Sequence, residues 1–489
     1  TGPAGGATNG FLPVGEWLNA RVTLHAGDAA DAPVIDAAEC GLLVWPRPSD
    51  FSLKPTSRFA FLVGHPYTKR WLGARWERPN LCNERLLELP KRYGVICMPM
   101  FTVPVESIRE PGVAEDFAKR VEEYVRRHAQ FIDYLQLGNE PAIYRPGVAE
   151  DYVACLRLGC IAAKKAKPSI KIAAAGITGL DVDEDMVAKM FDAGAAPYCD
   201  MVDIHTYLAL DTMDRIIGKV RRQMQERGVD KPLIITEVTA NLGSAMPERE
   251  KAAHIIQRHA IAFAHGVAQM YWFVMHGISP APGHWDYCGV INIQNRAPWP
   301  AAAAYARMVA ELADKPFLRR QREGSGWLFD FGDDTHHLII AWSDDGKGSV
   351  RLSQTAGTVR VIDIMGRETA IDSADDVTLN LTLEPILIST PSTATATLAK
   401  TESPLRDTVM IARGARARVD TGTGDADGTA TAGLLATSLP TGLEADVGAD
   451  GVIVVPQEIA MEALVKVEEV EAAEQGMRED LAAGMSFKD

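Results

Sequence analysis

Pro232-Leu-Ile-Ile-Thr-Glu237 and Gln269-Met-Tyr-Trp-Phe-Val274 are two short apolar runs, separated by a segment of helical period at 247–265. Short apolar runs without polar alternation are typical of strands that are buried on both faces. Strand, helix and strand in that order form the βαβ unit of a parallel sheet. This stretch therefore predicts a parallel α/β fold for the region around it.

The same alternation extends in both directions, from about residue 59 to residue 315. Further strand candidates are Gly94–Phe101, Phe131–Gly138, Ile170–Ile177 and Met201–His205, with two weaker ones at Phe59–Val63 and Ala74–Glu77. Helical-period segments lie at 114–128, 149–166, 183–194, 211–228 and 298–313. The pattern predicts a (β/α)8 barrel over residues 59–315, with little room for a full helix in the first two repeats.

After Pro316 the pattern changes to short strands separated by turns. Strand-like runs such as Gly326–Gly332 and His337–Ser343 alternate with turn signals such as Asp344-Asp-Gly-Lys-Gly348. This pattern of short strands and turns predicts a small antiparallel β-sandwich domain over residues 316–390. Residues 1–58 form an N-terminal segment, and strand-like runs within 11–55 are candidates to add strands to that sandwich.

Composition narrows the classes of function and partner. A chain of 489 residues is expected to hold two or three domains. Its net charge of −15 argues against nucleic acid and anionic membranes as partners, and no apolar run approaches the roughly 18 residues of a membrane span. The seven scattered cysteines are expected to be buried free thiols, which favours a cytoplasmic over a secreted location. Their spacing predicts no zinc site.

Two glutamates stand at the ends of strand candidates. Glu140 follows Gln136-Leu-Gly-Asn139, and Glu237 closes the run that begins at Pro232. Carboxylates at the C-terminal ends of barrel strands lie on the face that carries active sites, and the fourth and seventh strands face each other across it. Two such carboxylates are the equipment for cleaving a glycosidic bond. Taken alone, Glu140 would also suit a helix N-terminus, where the dipole stabilises a carboxylate.

Together, Leu-Gly-Asn-Glu-Pro and Ile-Thr-Glu resemble the motifs of the clan A glycoside hydrolases, which are retaining enzymes on a (β/α)8 barrel. The clan includes β-xylosidases, β-glucosidases, endoglucanases and xylanases, and the resemblance covers about residues 59–390. It implies that Glu140 is the acid/base and Glu237 the nucleophile, without a metal or organic cofactor. The implied substrates are plant-type oligo- or polysaccharides with β-1,4-linked gluco- or xylo-configured sugars.

The resemblance also implies which residues surround the two glutamates. Asp203-Ile-His205-Thr-Tyr207 resembles the His-x-Tyr segment of the sixth strand, whose side chains contact the nucleophile or the sugar. Trp272 resembles the eighth-strand aromatic residue that forms the floor of the −1 subsite. For each of these side chains, packing in the barrel core is the alternative.

Two further positions complete the implied site. Asn139 would hold the sugar 2-hydroxyl, a contact that strengthens in the transition state. Arg78, in Leu-Gly-Ala-Arg-Trp-Glu-Arg78, resembles the second-strand arginine that hydrogen-bonds the nucleophile. Arg75, three residues earlier, is the competing candidate for that position.

The C-terminal part of the chain differs in composition from the rest. Residues 391–400 have the Ser/Thr/Ala content of a linker. Beyond it, Gly451-Val-Ile-Val-Val-Pro456 and a charged helical segment at 458–483 resemble the C-terminus of the RraA-like, hydroxymethyl-oxoglutarate aldolase family. The loop glycines of that family are absent before Arg406, so we expect no aldolase metal site. Residues 401–489 are expected to be a partial RraA-like tail that packs on the sandwich or mediates homo-oligomerisation.

Two other classes of function stay open at this level. The barrel could be a non-catalytic carbohydrate-binding protein that has lost its activity. Alternatively, the tail could carry an aldolase or assembly function of its own.

Overall fold

The structure is a computed structural model of the chain. It describes residues 17–25, 34–43, 54–62, 64, 66–80, 84–141, 147–180, 182–240, 246–277, 288–292, 298–353, 357–373, 376–399, 417–420 and 444–447. The chain divides into two compact units, Thr1–Lys400 and Thr401–Asp489.

The N-terminal segment forms a hairpin of its own. Strands β1 (Trp17–His25) and β2 (Val34–Leu43) pair antiparallel, with Trp17 opposite Leu43 and a bulge between Leu24 and His25. Among the described residues these two strands pair with each other and with no strand of the later β-domain. The expectation that this segment extends the sandwich is therefore wrong for the strands that the structure describes.

Parallel strands follow and close into a barrel. They are β3 (Phe59–Phe61), β4 (Trp76–Glu77), β5 (Ile96–Cys97), β6 (Met100–Phe101), β7 (Tyr134–Leu137), β8 (Lys171–Ala173), β9 (Val202–Thr206), β10 (Leu233–Val238) and β11 (Gln269–Trp272). One sheet has the order β5-β4-β3-β11-β10-β9 and a second has the order β6-β7-β8. Bridges from Ala173 to Met201 and from Asn80 to Met100 join the two sheets. Because β5 and β6 are parts of one barrel strand, interrupted at Pro99, the predicted (β/α)8 barrel is confirmed.

Helices alternate with these strands. They are α1 (Pro66–Leu72), α2 (Glu84–Arg92), α3 (Val113–His128), α4 (Val148–Ala166), α5 (Met186–Asp192), α6 (Leu210–Glu226), α7 (Glu248–Ala264) and α8 (Pro300–Leu312). In α3 the buried residues Phe117, Val121 and Val125 recur every four positions, so one face packs on the barrel. The first two repeats do contain helices, but these have only 7 and 9 residues. None of the described helices is long and apolar enough to cross a membrane.

Alternation along each barrel strand divides its side chains between two cores. Ile234 and Tyr271 point into the barrel interior, whereas their neighbours Ile235 and Trp272 join the larger core between barrel and helices. The interior cluster is small and is completed by Ala60, Trp76, Met98, Ala173 and Met201. The predicted buried thiols are confirmed for the cysteines whose side chains are described, Cys97, Cys155, Cys160, Cys199 and Cys288.

After β11, a short parallel pair, β12 (His276–Gly277) and β13 (Ile291–Asn292), precedes α8. The sandwich then contains β14 (Phe317–Glu323), β15 (Gly326–Gly332), β16 (His336–Ser343), β17 (Ser349–Ser353), β18 (Gly357–Ile362), β19 (Glu368–Ser373), β20 (Val377–Asn380), β21 (Ile386–Pro391) and β22 (Thr395–Ala399). One antiparallel sheet has the order β14-β15-β16-β21-β18-β19 and the other β20-β17-β22. The antiparallel β-sandwich predicted after the barrel is thus confirmed, although the boundary at residue 316 stays a prediction.

The two sheets enclose an apolar core, and the outer face of the larger sheet packs towards the barrel. Trp327, Phe329 and Trp342 stack on one another with ring planes within 20° of parallel. These rings belong to the same apolar cluster as the barrel helices. Barrel and sandwich therefore share one continuous core.

The predicted linker at 391–400 is wrong, because it contains strand β22. This strand pairs antiparallel with β17, from Ser353 opposite Thr395 to Ser349 opposite Ala399. Ala396 and Leu398 are buried while their neighbours are exposed. Small residues gave the stretch a linker-like composition, but their alternation has the period of an edge strand.

In the second unit the structure describes one pair of strands. Strands β23 (Ala417–Asp420) and β24 (Glu444–Val447) pair antiparallel. The strand predicted at 451–456, the helix predicted at 458–483 and the loop around Arg406 lie outside the described residues. The RraA-like resemblance of this unit stays a prediction.

Candidate active site

The structure brings the two predicted glutamates together at the C-terminal ends of the barrel strands. Glu140 follows β7, the fourth barrel strand, and Glu237 lies near the end of β10, the seventh. The Glu237 side chain is 9% exposed and that of Glu140 is 33% exposed. One carboxylate oxygen of each glutamate and one ring nitrogen of His205 all lie within 4.8 Å of one another.

A sharp turn after β7 aims Glu140 at this point. Gly138 has a φ of 95°, and a Cβ atom there would lie 2.8 Å from Val103. Glu140 has a φ of 43° and donates its backbone N–H to the Gly176 carbonyl at 3.0 Å. A left-handed backbone at a residue other than glycine costs roughly 1–3 kcal/mol and tends to occur at functional sites. Gly138 is therefore needed for the shape of this turn, and Glu140 for its carboxylate.

Both carboxylate oxygens of Glu237 accept hydrogen bonds. Arg78 donates from Nη1 to Oε1 at 2.7 Å, and the Tyr207 hydroxyl donates to Oε2. Arg78 is 3% exposed and also donates to Gln136 and Asn139. Its planar guanidinium thus orients three side chains at once.

The structure resolves the competition between the two arginines. Arg75 donates to the backbone carbonyl of Gly94 at 3.4 Å, whereas Arg78 contacts Glu237. Arg78 is thus the arginine at the site.

His205 lies fully buried beneath Glu140. Its Nδ1 is 2.7 Å from Glu140 Oε1, and its Nε2 is 2.9 Å from Thr236 Oγ1. The ring fits because residue 176 is glycine, where a Cβ atom would lie 1.9 Å from Nε2. Burial lowers the pKa of His205 to about 3, against the opposing pull of Glu237. The imidazole is therefore neutral, with one nitrogen donating and the other accepting.

A second buried carboxyl group, Asp203, lies beneath His205. Its Oδ1 accepts the Thr236 backbone N–H at 3.0 Å. Its Oδ2 accepts from the Thr236 hydroxyl and from Gln136 Nε2, each at 2.5 Å. Burial raises the pKa of Asp203 to about 8, with Arg78 acting in the opposite direction.

Burial also shifts the pKa values of Glu140 and Tyr207. Burial raises the pKa of Glu140, and the Arg78 cation partly opposes this. Burial, followed by the negative charge of Glu237, raises the pKa of Tyr207 far beyond its usual range. Tyr207 is therefore a neutral phenol that donates to Glu237.

Trp272 is not at the site, which corrects the prediction that it lines the −1 subsite. It is fully buried, and its indole N–H donates to the Cys288 carbonyl at 2.9 Å. Strand alternation turns it outward to the helices, because Tyr271 before it points into the barrel. The next residue, Phe273, meets the Tyr207 ring edge-on at a centroid distance of 6.1 Å. Phe273, which directly follows β11, is thus the aromatic residue that reaches the site.

Sequence reasoning missed four more residues that shape the site, namely Gln136, Gly176, Asp203 and Thr236. Gln136 and Asp203 are polar residues in buried parts of strands, and a buried polar side chain needs a partner. That pattern was a usable signal. Nothing local in the sequence marks Gly176, whose role follows from the approach of His205 across the barrel.

The donor atoms of Glu140, His205 and Glu237 are close enough to raise the question of a metal ion. Both oxygens of Glu237 already accept from Arg78 and Tyr207. A cation here would lie beside the guanidinium group and would be repelled by it. The arrangement fits paired carboxylates better than a metal centre.

Solved glycoside hydrolases have similar structures. A family 39 glycoside hydrolase from the gut symbiont Bacteroides cellulosilyticus WH2 matches with a TM-score of 0.62 at 18% identity, over 76% of this chain and 88% of that one. A family 30 endoxylanase from Clostridium papyrosolvens C71 matches with a TM-score of 0.50 at 11% identity, over 69% and 96%. The catalytic domain of a family 30 xylanase C from Talaromyces cellulolyticus gives 0.50 at 11%, over 70% and 98%.

Comparison with protein-family models finds no match, and comparison with the curated proteins finds none either. At such low identities the structural likeness concerns the fold. The chain has the barrel-and-sandwich fold of the clan A glycoside hydrolases.

Proposed function

We propose that this protein is a retaining β-glycosidase in which Glu237 is the nucleophile and Glu140 the acid/base. The observation that carries the proposal is the separation of the pair, whose nearest oxygens lie within 4.8 Å. Retaining enzymes hold their carboxyl groups about 5–5.5 Å apart, whereas inverting enzymes need about 6.5–9.5 Å to admit a water molecule. These ranges refer to whole carboxyl groups, and nearest oxygens as close as those of Glu140 and Glu237 favour the shorter one. The close pair supports direct attack on the sugar.

The surroundings of the two glutamates support distinct roles. Glu237 accepts from Arg78 and Tyr207, an arrangement that suits an ionised carboxylate poised to attack the anomeric carbon. Glu140 has a raised pKa and a neutral histidine beside it, which favours the protonated form. Such a divergence of environments is how paired carboxyl groups divide acid and nucleophile roles.

The reaction then proceeds in two displacements. Glu140 protonates the leaving oxygen while Glu237 forms a bond to the anomeric carbon. Formation of this ester removes the negative charge of Glu237, so the pKa of Glu140 falls and its carboxylate can act as a base. Glu140 then takes a proton from water, which attacks the same carbon and releases Glu237.

Two residues support a sugar substrate. Asn139 is exposed, and because its Oδ1 accepts from Arg78, its Nδ2 can donate to a sugar 2-hydroxyl. Phe273 offers a ring to the apolar face of a sugar in place of Trp272. Together with the xylanase names of two similar structures, these features favour β-1,4-linked plant oligo- or polysaccharides of xylo or gluco configuration.

A panel of aryl β-glycosides tests the proposal with the full chain. We expect hydrolysis of at least one substrate by the wild type, and a loss of about 10⁴-fold or more for Glu237→Ala, the order found when a nucleophile is removed. Glu123→Ala, at an exposed glutamate on α3, is the matched control and should retain full activity. A folded wild type that binds sugars but hydrolyses nothing on the panel would favour a non-catalytic carbohydrate-binding protein.

A further inference from the structure

A continuous chain of hydrogen bonds runs from Glu140 into the barrel. It passes from Glu140 to His205 at 2.7 Å, from His205 to Thr236 at 2.9 Å, and from Thr236 to Asp203 at 2.5 Å. His205, Thr236 and Asp203 are each at most 2% exposed. Double displacement by two glutamates gives Asp203 no role, yet burying a carboxyl group is costly unless its hydrogen bonds are made.

Two of the three donors to Asp203 have fixed directions, and the third, the Thr236 hydroxyl, can adopt either of two. Gln136 Oε1 accepts from Arg78, so its Nε2 must face Asp203 Oδ2 as a donor. The Thr236 backbone N–H is a fixed donor to Oδ1. Only the Thr236 hydroxyl can point either to Asp203 or to His205, and this choice sets the tautomer of the neutral imidazole.

Two arrangements satisfy every bond. In the first, the Thr236 hydroxyl donates to the Asp203 carboxylate, His205 Nε2–H donates to Thr236, and Nδ1 accepts the proton of the Glu140 carboxyl. In the second, each of these three protons has crossed one hydrogen bond. Glu140 is then ionised, Nδ1 carries the hydrogen, and Asp203 is protonated. The conversion breaks and forms only O–H and N–H bonds and leaves the total charge unchanged.

We propose that Asp203, acting through Thr236 and His205, is a positioning residue that keeps the carboxyl group of Glu140 protonated. The inference rests on the proposed acid role of Glu140. An ionised Asp203 draws the Thr236 hydroxyl towards itself, which leaves His205 as the Nε2–H tautomer with a lone pair facing Glu140. Gly176 makes the arrangement possible, because a larger residue would occupy the place of the imidazole.

Burial raises the pKa of both carboxyl groups at the ends of this chain, Glu140 and Asp203, so the two compete for protons around neutral pH. The direction of the Thr236 hydroxyl between them decides which of the two holds a single shared proton. The titratable and charged groups that face this chain from the neighbouring elements are Arg78, Tyr152, Tyr207, Glu237 and Tyr271.

Asp203→Asn tests the proposal because it locks the chain in the second arrangement. The Thr236 backbone N–H requires an oxygen at the Oδ1 position, so the new amide nitrogen takes the Oδ2 position and donates to the Thr236 hydroxyl. Gln136 Nε2 loses its acceptor at Oδ2 and keeps the Ala174 carbonyl, at 3.5 Å. That hydroxyl then donates to His205 Nε2, and Nδ1–H donates to Glu140. A donor at this place stabilises the ionised carboxylate and lowers the pKa of Glu140.

The expected kinetic result follows from the sign of that change. With a lower pKa, Glu140 loses its proton at lower pH, so the alkaline limb of kcat/KM moves to lower pH by about one unit or more. The effect should be large for substrates with poor leaving groups. A 2,4-dinitrophenyl glycoside, whose leaving group needs no acid, should be cleaved nearly as fast as by the wild type. Thr236→Ser keeps the hydroxyl and should keep the wild-type profile.

Nitrogen-15 NMR of the full chain with labelled histidines gives a readout independent of activity. The His205 signal, assigned by its loss in His205→Gln, should show the Nε2–H tautomer in the wild type and Nδ1–H in Asp203→Asn. Nδ1–H or an imidazolium in the wild type overturns the proposal even if the variant does not fold. An unchanged alkaline limb in a folded Asp203→Asn overturns it as well. Absent hydrolysis together with the expected tautomers contradicts the proposed function alone.

Discussion

Substitution of Gly176 by alanine should displace the His205 ring and so lower both the stability and the activity of the protein. The backbone at residue 176 is not left-handed, so the cost of alanine there is steric alone. Its Cβ atom would lie 1.9 Å from His205 Nε2, against the 3.4 Å at which ordinary contacts begin. The ring must therefore retreat by about 1.5 Å, the difference between these two distances, which breaks its bonds to Glu140 and Thr236.

The energetic size of this change can be estimated from its parts. Two lost hydrogen bonds cost about 1 kcal/mol each, and overpacking adds about 1–3 kcal/mol. We expect Gly176→Ala to lower the free energy of unfolding by about 3–5 kcal/mol. A displacement of this size near reacting groups should also lower kcat by roughly 100-fold.

Urea denaturation of a double-mutant cycle isolates the cause. In a His205→Ala background the space is empty, so Gly176→Ala should cost no more than about 0.5 kcal/mol, the limit of additivity for independent sites. Gly218→Ala, on α6, is the control, because this glycine also lacks a left-handed backbone and the nearest atom to its Cβ position is 3.3 Å away, close to ordinary contact. An equal cost of Gly176→Ala in both backgrounds would refute the steric reasoning.

Three other substitutions test separate parts of the structure. Tyr207→Phe removes a donor to Glu237 and should lower kcat by about 10- to 100-fold, as expected for a charge-assisted hydrogen bond, with an unchanged circular dichroism spectrum. Trp272→Ala should lower the free energy of unfolding by about 3–5 kcal/mol. The KM of the protein that remains folded should not change, and a rise in this KM would show that Trp272 contacts the sugar after all. Lys69→Met strands the buried carboxylate of Glu77 and should cost about 3–5 kcal/mol in urea, whereas replacing both residues by apolar ones should recover most of it.

The barrel was predictable because buried parallel strands are unbroken apolar runs. Strands such as β9 and β10 were predicted to within one residue at each end, since both faces of each strand are covered. The first two helices were missed because α1 is short and α2 contains Pro90. The strand β22 was missed because it has only five residues and four of them are threonine or alanine, the composition of a linker.

The two glutamates were predictable because each stands where an apolar strand ends. The side on which a neighbouring aromatic residue faces depends on the pleat of the strand, and a shift of one residue exchanges Trp272 for Phe273. The hydrogen-bond chain beneath the site was not predictable from local patterns. Thr236 and Asp203 are 33 positions apart, and only the pairing of β9 with β10 brings them together.

The roles of Glu237 as nucleophile and Glu140 as acid/base are tested most directly by the anomeric configuration of the product that forms when azide rescues Glu237→Ala. With the nucleophile removed, azide occupies its place and attacks the anomeric carbon of an aryl β-glycoside from the opposite face. We predict an α-glycosyl azide, identified by proton NMR. A β-glycosyl azide from this variant would reverse the roles of Glu140 and Glu237 and contradict the account.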